Sequence, residues 1–205
     1  HKPIHSCSRR KWMDAWNAPE QEQEMTKTLQ DYLNEQKAWE DIPLEELDIA
    51  LGKDRLFWTR DEISRVMDPQ RARYAPRDGQ TFCNIFVTDY TRAWGKEIPH
   101  RLNGKELTAD MTCRKLQAGE IPFWVPCGGV EAGARSTMQD QCVVACSPGS
   151  PGHIAILWTP VVRVEGIYPR VIQAGAKCGT MTLKEGFGKQ FPYVKYAYYD
   201  RDHRP

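Results

Sequence analysis

Hydrophobic and polar positions change their period part-way along the chain, helical at first and strand-like later. Met25, Leu29, Tyr32 and Leu33 mark one face of a helix that opens at Pro19-Glu20-Gln21-Glu22. Proline suits a first turn, and acidic residues suit the positive end of the helix dipole. This helix is expected to end near Trp39, before Asp41-Ile42-Pro43. A second runs from Leu44 to Leu51 and stops at Gly52, a residue suited to the position after a helix end. Thr59-Arg60-Asp61-Glu62 is similar to a capping box, short of the ideal spacing, ahead of Ile63, Val66 and Met67.

The most regular pattern follows. Cys83, Phe86, Val87, Tyr90 and Trp94 fall on a single helix face, which Gly95 terminates, so Cys83 stands on the buried edge of the first turn. Thr108 caps a further helix through Met111 and Leu116 to Gly119, and Gly129 to about Met138 is a third. Strands are then expected at Cys142–Cys146, at His153–Trp158, around Arg170–Ala174 and at Tyr193–Tyr199, with Ser147-Pro148-Gly149-Ser150-Pro151-Gly152 as the turn joining the first two. Helices first and an antiparallel sheet afterwards is an α+β arrangement. Residues 1–70, helical, polar and rich in tryptophan, read as an N-terminal extension, and residues 71–205 as the main domain.

Composition narrows the function classes only modestly. A chain of 205 residues with 40% hydrophobic and 27% charged residues has the makeup of an ordinary globular domain. A net charge of +1, with the basic residues spread rather than striped, offers no footprint for nucleic acid. No run reaches the ~18 apolar residues that would mark a transmembrane helix. There are seven cysteines. An odd count fits one free thiol plus up to three disulfides in an oxidising compartment, with buried reduced thiols as the alternative and a metal site as the third reading. No Cys-x-x-Cys pair is present, and no metal or other cofactor is expected. In a strand, Cys142 and Cys146 would lie on one face about 13 Å apart at roughly 3.3 Å per residue, too far to bridge each other.

The candidate chemistry begins at Cys83. A thiol at a helix N-terminus meets backbone N–H groups and a dipole that favour the thiolate, the nucleophilic form. Gly152-His153-Ile154-Ala155-Ile156-Leu157 sets a histidine at the mouth of an apolar strand, and Val171-Ile172-Gln173-Ala174-Gly175 carries a polar residue inside another. Pairing Trp158 with Tyr168 in an antiparallel hairpin would set His153 directly opposite Gln173, close enough to fix the imidazole's tautomer. Cys83, His153 and Gln173 then read as nucleophile, base and orienting group.

Those three stretches, in that order, resemble the NlpC-type papain-like cysteine peptidases and amidases of bacterial peptidoglycan and the related CHAP amidases. Val130-Glu131-Ala132-Gly133-Ala134 and the ending Gly186-Phe187-Gly188 with Val194-Lys195-Tyr196 are similar to members as well. The resemblance covers about Tyr74 to Asp200. It implies a papain-like NlpC-type fold with the nucleophile helix packed on a central antiparallel sheet, and a Cys83–His153–Gln173 mechanism. It also implies peptidoglycan as partner, a secreted or periplasmic setting, and a substrate or oxyanion role for Tyr74. Asn84 follows the nucleophile where serine is more common, and joins Tyr74 at that position. Two rivals stand beside this expectation: a wall-binding module of the same fold without turnover, and a protein-directed cysteine protease or acyltransferase. The N-terminal helices are a candidate inhibitory contact over the cleft.

Overall fold

The computed structural model describes residues 27–38, 40–159 and 169–203. The predicted helix start at Pro19, with Met25, Trp39, Tyr168 and Cys7, lies outside them. The helices are α1 (Leu29–Asn34), α2 (Leu44–Leu51), α3 (Arg60–Val66), α4 (Cys83–Ala93), α5 (Ala109–Gln117), α6 (Gly129–Arg135) and α7 (Leu183–Phe187). The strands are β1 (Arg101–Leu102), β2 (Lys105–Glu106), β3 (Trp124–Cys127), β4 (Val143–Ser147), β5 (His153–Trp158), β6 (Arg170–Gln173), β7 (Gly179–Thr182) and β8 (Lys195–Tyr199). β3 to β8 form one six-stranded sheet in the order β3-β8-β4-β5-β6-β7, every neighbouring pair antiparallel. The chain is therefore α+β. No helix among the described residues is long and apolar enough to cross a membrane.

Period-two alternation sends the central strands in two directions at once. Val144, Cys146, Ile154, Ile156 and Ile172 face one core with α4 and α5, whereas Val143, Ala145, Ala155, Leu157 and Val171 face another with α6 and α7. Both faces of β4 and β5 are covered, so these strands read as continuous apolar runs.

Local signals account for most helix ends. Thr59 accepts from the Glu62 amide while Glu62 reaches back to the Thr59 amide, a complete capping box at the ideal spacing. Thr28 and Asp31 form another at α1, and Thr108 accepts from the Met111 amide at α5. Gly95 follows α4 at φ 70°, a left-handed conformation, and a Cβ there would meet Leu56 Cδ1 at 2.7 Å. α1 ends at Asn34, with Glu35 as its extended cap residue, short of the expected Trp39. The reason is Arg73, whose guanidinium donates to the Lys37 carbonyl at 2.9 Å and the Glu40 carbonyl at 2.6 Å. Those carbonyls are satisfied outside a helix, so nothing is gained by continuing it.

The N-terminal segment packs behind the main domain rather than over it. Leu29, Leu33, Leu47, Ile63 and Met67 are buried in one continuous core with Tyr74, Phe86, Tyr90 and Trp94. Arg73 joins the segment to α4 through a buried ion pair, its Nε 2.7 Å from Asp89 Oδ2, to which the Tyr74 hydroxyl also donates at 3.0 Å. Each buried leucine or isoleucine contributes about 1.5–3 kcal/mol relative to exposure, so residues 27–70 supply a substantial share of the core.

Candidate functional site

The β4–β5 turn and the first turn of α4 meet at one end of the sheet. Cys83 is 3% exposed. Around its sulfur stand the Ile154 amide, the Asn84 amide and its own, and the Thr81 hydroxyl, each of which favours the thiolate. Ile154 is the neighbour of His153 in β5, so α4 delivers its thiol to the start of the strand that carries the histidine. Burial pushes the Cys83 thiol above the ordinary thiol range, and the four donors only partly offset that. This corrects the expectation of a low-pKa thiol: at this helix N-terminus desolvation outweighs the dipole, and the resting group is a neutral thiol.

His153 Nε2 and Gln173 Oε1 are 2.8 Å apart. The Gln173 amide nitrogen donates to the Lys177 carbonyl at 3.1 Å, and a carbonyl can only accept. The glutamine oxygen therefore faces the imidazole, His153 Nε2 is the donor, and Nδ1 of the neutral ring keeps its lone pair. Burial lowers the His153 pKa below the ordinary histidine value, and the bond to Gln173 partly opposes this. Phe187 closes the ring's other side edge-on, with centroids 4.8 Å apart.

The strand register differs from the expected one by two residues. Trp158 pairs with Arg170 and Ile156 with Ile172, which sets Gly175, not Gln173, across from His153. A Cβ at Gly175 would lie 3.3 Å from His153 Cε1, which confirms the opposition. A shift of two preserves the face, so Gln173 still points to the imidazole's side and reaches it diagonally.

Two clefts flank this junction. One, of about 700 Å³, is lined by Cys83, Asn84, Phe82, Glu106, Thr108 and Asp110 among others. The other, of about 260 Å³, is lined by His153, Gln173, Glu185, Gly186 and Phe187. Thr81, Pro151 and Gly152 belong to the walls of both. Cys83 comes from the α4 side of the sheet and His153 from the α7 side, so the two lie in separate clefts whose shared wall is Thr81, Pro151 and Gly152.

The remaining expected residues divide. Asn84 lines the Cys83 cleft, and its side chain donates to the Leu107 carbonyl at 2.9 Å, fixing the first turn of α4 to the segment before α5. Tyr74 is not brought to the site. Its ring is fully buried against Phe86 and its hydroxyl is committed to Asp89, so it lines neither cleft and is unavailable to an oxyanion. No residue of 27–70 lines either cleft, which corrects the inhibitory-contact expectation for the described part of the N-terminal segment. The six described cysteines are all free thiols, against the expectation of a disulfide framework. Among the described residues no group of three or more His, Cys, Asp or Glu is arranged to hold a metal.

Sequence reasoning missed Thr81, Gly152 and Gly186. A Cβ at Gly152 would lie 2.5 Å from the Asp110 amide nitrogen, so the N-terminus of α5 rests directly on the backbone before His153. Asp110 fastens the same turn by accepting from the Gly149 amide at 2.8 Å. A Cβ at Gly186 would lie 2.6 Å from Gln173 Oε1. The signal for Gly152 was a glycine beside a candidate site residue, where it marks close approach of another chain segment; Gly186 is far from any of them in sequence. No protein-family model, curated protein or solved structure matches the chain.

Proposed function

We propose that this chain is a cysteine hydrolase of papain-like, NlpC-type architecture that cleaves an amide bond in the stem peptide or cross-link of peptidoglycan, in a secreted or periplasmic setting. The observation that carries the reading is the His153–Gln173 bond, with its tautomer fixed, at the start of the strand whose next amide meets the Cys83 thiol. Because the resting thiol is neutral, His153 Nδ1 acts as general base: it takes the thiol proton as sulfur attacks the substrate carbonyl, rather than resting as half of an ion pair. The amide N–H groups around the sulfur are the donors at hand for the oxyanion. The imidazolium then protonates the leaving amine, and the neutral ring activates the water that releases the acyl group. Gln173 holds the ring throughout.

The two clefts suit a chain-like substrate laid across the junction, with the scissile amide over the Thr81–Gly152 divide. Cys83→Ala is expected to abolish release of soluble fragments from purified cell walls with the melting temperature within a few degrees of the parent. Retained release would refute the nucleophile assignment. Binding to walls by the parent without any release would identify the chain as a wall-binding module instead, and cleavage of proteins but not walls would move the substrate to polypeptides.

A further inference from the structure

Cys113 and Cys146 are not used by the chemistry proposed for Cys83. Cys113 lies mid-way along α5, on the face that packs against the sheet, and Cys146 lies in β4 on the strand face that receives α5. Both are buried, at 1% and 0% exposure, in the same core cluster, with the two thiols close enough to perturb each other's ionisation. The thiols elsewhere have other surroundings: Cys83 is surrounded by amides and Thr81, and Cys178 donates to the Gly175 carbonyl. Two helix-to-sheet attachments frame the Cys113–Cys146 pair, the Asp110 bond to the Gly149 amide on one side and Gln117 Nε2 to the Tyr196 carbonyl on the other.

We propose that Cys113 and Cys146 form a disulfide when the chain meets an oxidising thiol–disulfide environment, and that this bond fastens α5, which walls the Cys83 cleft, to β4. The site is open to a small oxidant on one side only. Cys113 lines a surface cavity of about 390 Å³ with Arg114, Gln117, Ala118, Pro148 and Lys195. The neighbouring Cys146 thiol lowers the Cys113 thiol pKa, and Arg114 and Lys195 add to this against burial and the Asp110 carboxylate, while the Cys146 thiol is raised. Of the two, only Cys113 lines that cavity, so Cys113 is the attacking thiol and Cys146 the resolving one. The Cys113 thiolate attacks one sulfur of a low-molecular-weight disulfide and expels its first thiolate, leaving a mixed disulfide. The Cys146 thiol passes its proton to solvent and its sulfur attacks Cys113 Sγ, expelling the second thiolate. Two protein thiols are oxidised and one external disulfide is reduced to two thiols.

The bond closes a loop from the start of the cleft wall to the central strand. A loop of about 33 residues constrains the unfolded chain enough to raise the melting temperature by about 8–15 °C in a protein of this size. The experiment treats the full native chain with oxidised glutathione, blocks remaining thiols by alkylation, and maps peptides by mass spectrometry before and after reduction. The expected result is a Cys113–Cys146 cross-linked peptide with Cys83, Cys127, Cys142 and Cys178 alkylated after denaturation, and a melting temperature that falls on adding dithiothreitol. Glutathione left on Cys113 without resolution, a pairing that uses Cys7, or a Cys113–Cys146 bond that does not change the melting temperature would each overturn the proposal. The peptide map is independent of any hydrolytic assay, so its failure is distinguishable from failure of the proposed activity. Cys113→Ser and Cys146→Ser each remove the cross-link if they fold, and the parent map stands alone if they do not.

Discussion

Replacing Gly186 by alanine sets two effects against each other. Gly186 is inside α7, where alanine is the better helix former by about 0.5–1 kcal/mol. The added methyl, however, would sit 2.6 Å from Gln173 Oε1 and 2.8 Å from Val171 Cγ2, both closer than atoms of these kinds approach. Val171 is fixed in the second core, so the glutamine is the partner able to move. Restoring ordinary contact takes a shift of about 0.8 Å, and the 2.8 Å bond to His153 would then lie beyond hydrogen-bonding range. Overpacking costs about 1–3 kcal/mol, which the helix propensity partly offsets, so the melting temperature is expected to fall by only a few degrees. The loss in hydrolysis is larger. A misoriented base, displaced by something under 1 Å, costs about 10- to 100-fold in kcat/KM. The assay is release of soluble fragments by the parent, Gly186→Ala, Gln173→Ala and the double variant, arranged as a cycle. If Gly186 acts through Gln173, Gly186→Ala has almost no further effect once Gln173 is alanine. A full and additive loss in the double variant would refute the reasoning.

Other perturbations separate the remaining contributions. Because burial lowers the His153 pKa, the ring stays neutral as pH falls past the ordinary histidine value; the acid limb of kcat/KM is expected below 6.5, and Gln173→Ala, which removes a bond favouring the charged ring, should move it lower still. Alkylation kinetics by peptide mapping of the reduced native chain at neutral pH should find Cys113 reacting ahead of Cys83, with Cys83 overtaking only as pH rises past the usual thiol range; fast labelling of Cys83 in mild acid would show that its resting form is a thiolate after all. Arg73→Ala leaves the Asp89 carboxylate buried without its partner and frees the Lys37 and Glu40 carbonyls, so denaturant unfolding should report a loss of about 3–5 kcal/mol. Deleting residues 27–70 is expected to expose the core around Phe86 and Tyr90 and yield an unfolded chain rather than an activated one, which circular dichroism would register.

The parts of the fold legible in the sequence are those whose reasons are local. α2, α4 and β5 have their periodicity and stop signals in the same short stretch, and their boundaries agree with the expected ones to a residue. What stayed hidden are the two edges of the sheet. β3 holds Pro126, which an interior strand could not accept and an edge strand can, since one side of its backbone needs no partner. β7 opens at Gly179 and is polar, again the makeup of an edge. The features that keep an edge from aggregating are the features that make it look like a loop. The β1–β2 hairpin was not among the expected elements either, although Asn103-Gly104 between Leu102 and Lys105 is a strong short turn signal and both residues take the positive φ such a turn requires.

The candidate site follows the same division. The His153–Gln173 pairing was legible because both residues lie in patterned strands, and an even register error could not change which face Gln173 occupies. The protonation state was not legible, because the dipole that favours a thiolate is written in the sequence whereas the desolvation that outweighs it comes from burial in the packed fold. Tyr74 failed for a related reason: its place near Cys83 in sequence says nothing of Asp89, one and a half turns further along α4, which claims its hydroxyl. For Tyr74 the deciding partner is remote in sequence and polar. An apolar partner announces itself by periodicity, and a single buried carboxylate or amide does not. Gly152 and Gly186 are the intermediate case. The glycines are visible, but only the packed structure shows that one makes room for the helix that supports His153 and the other for the oxygen that orients it.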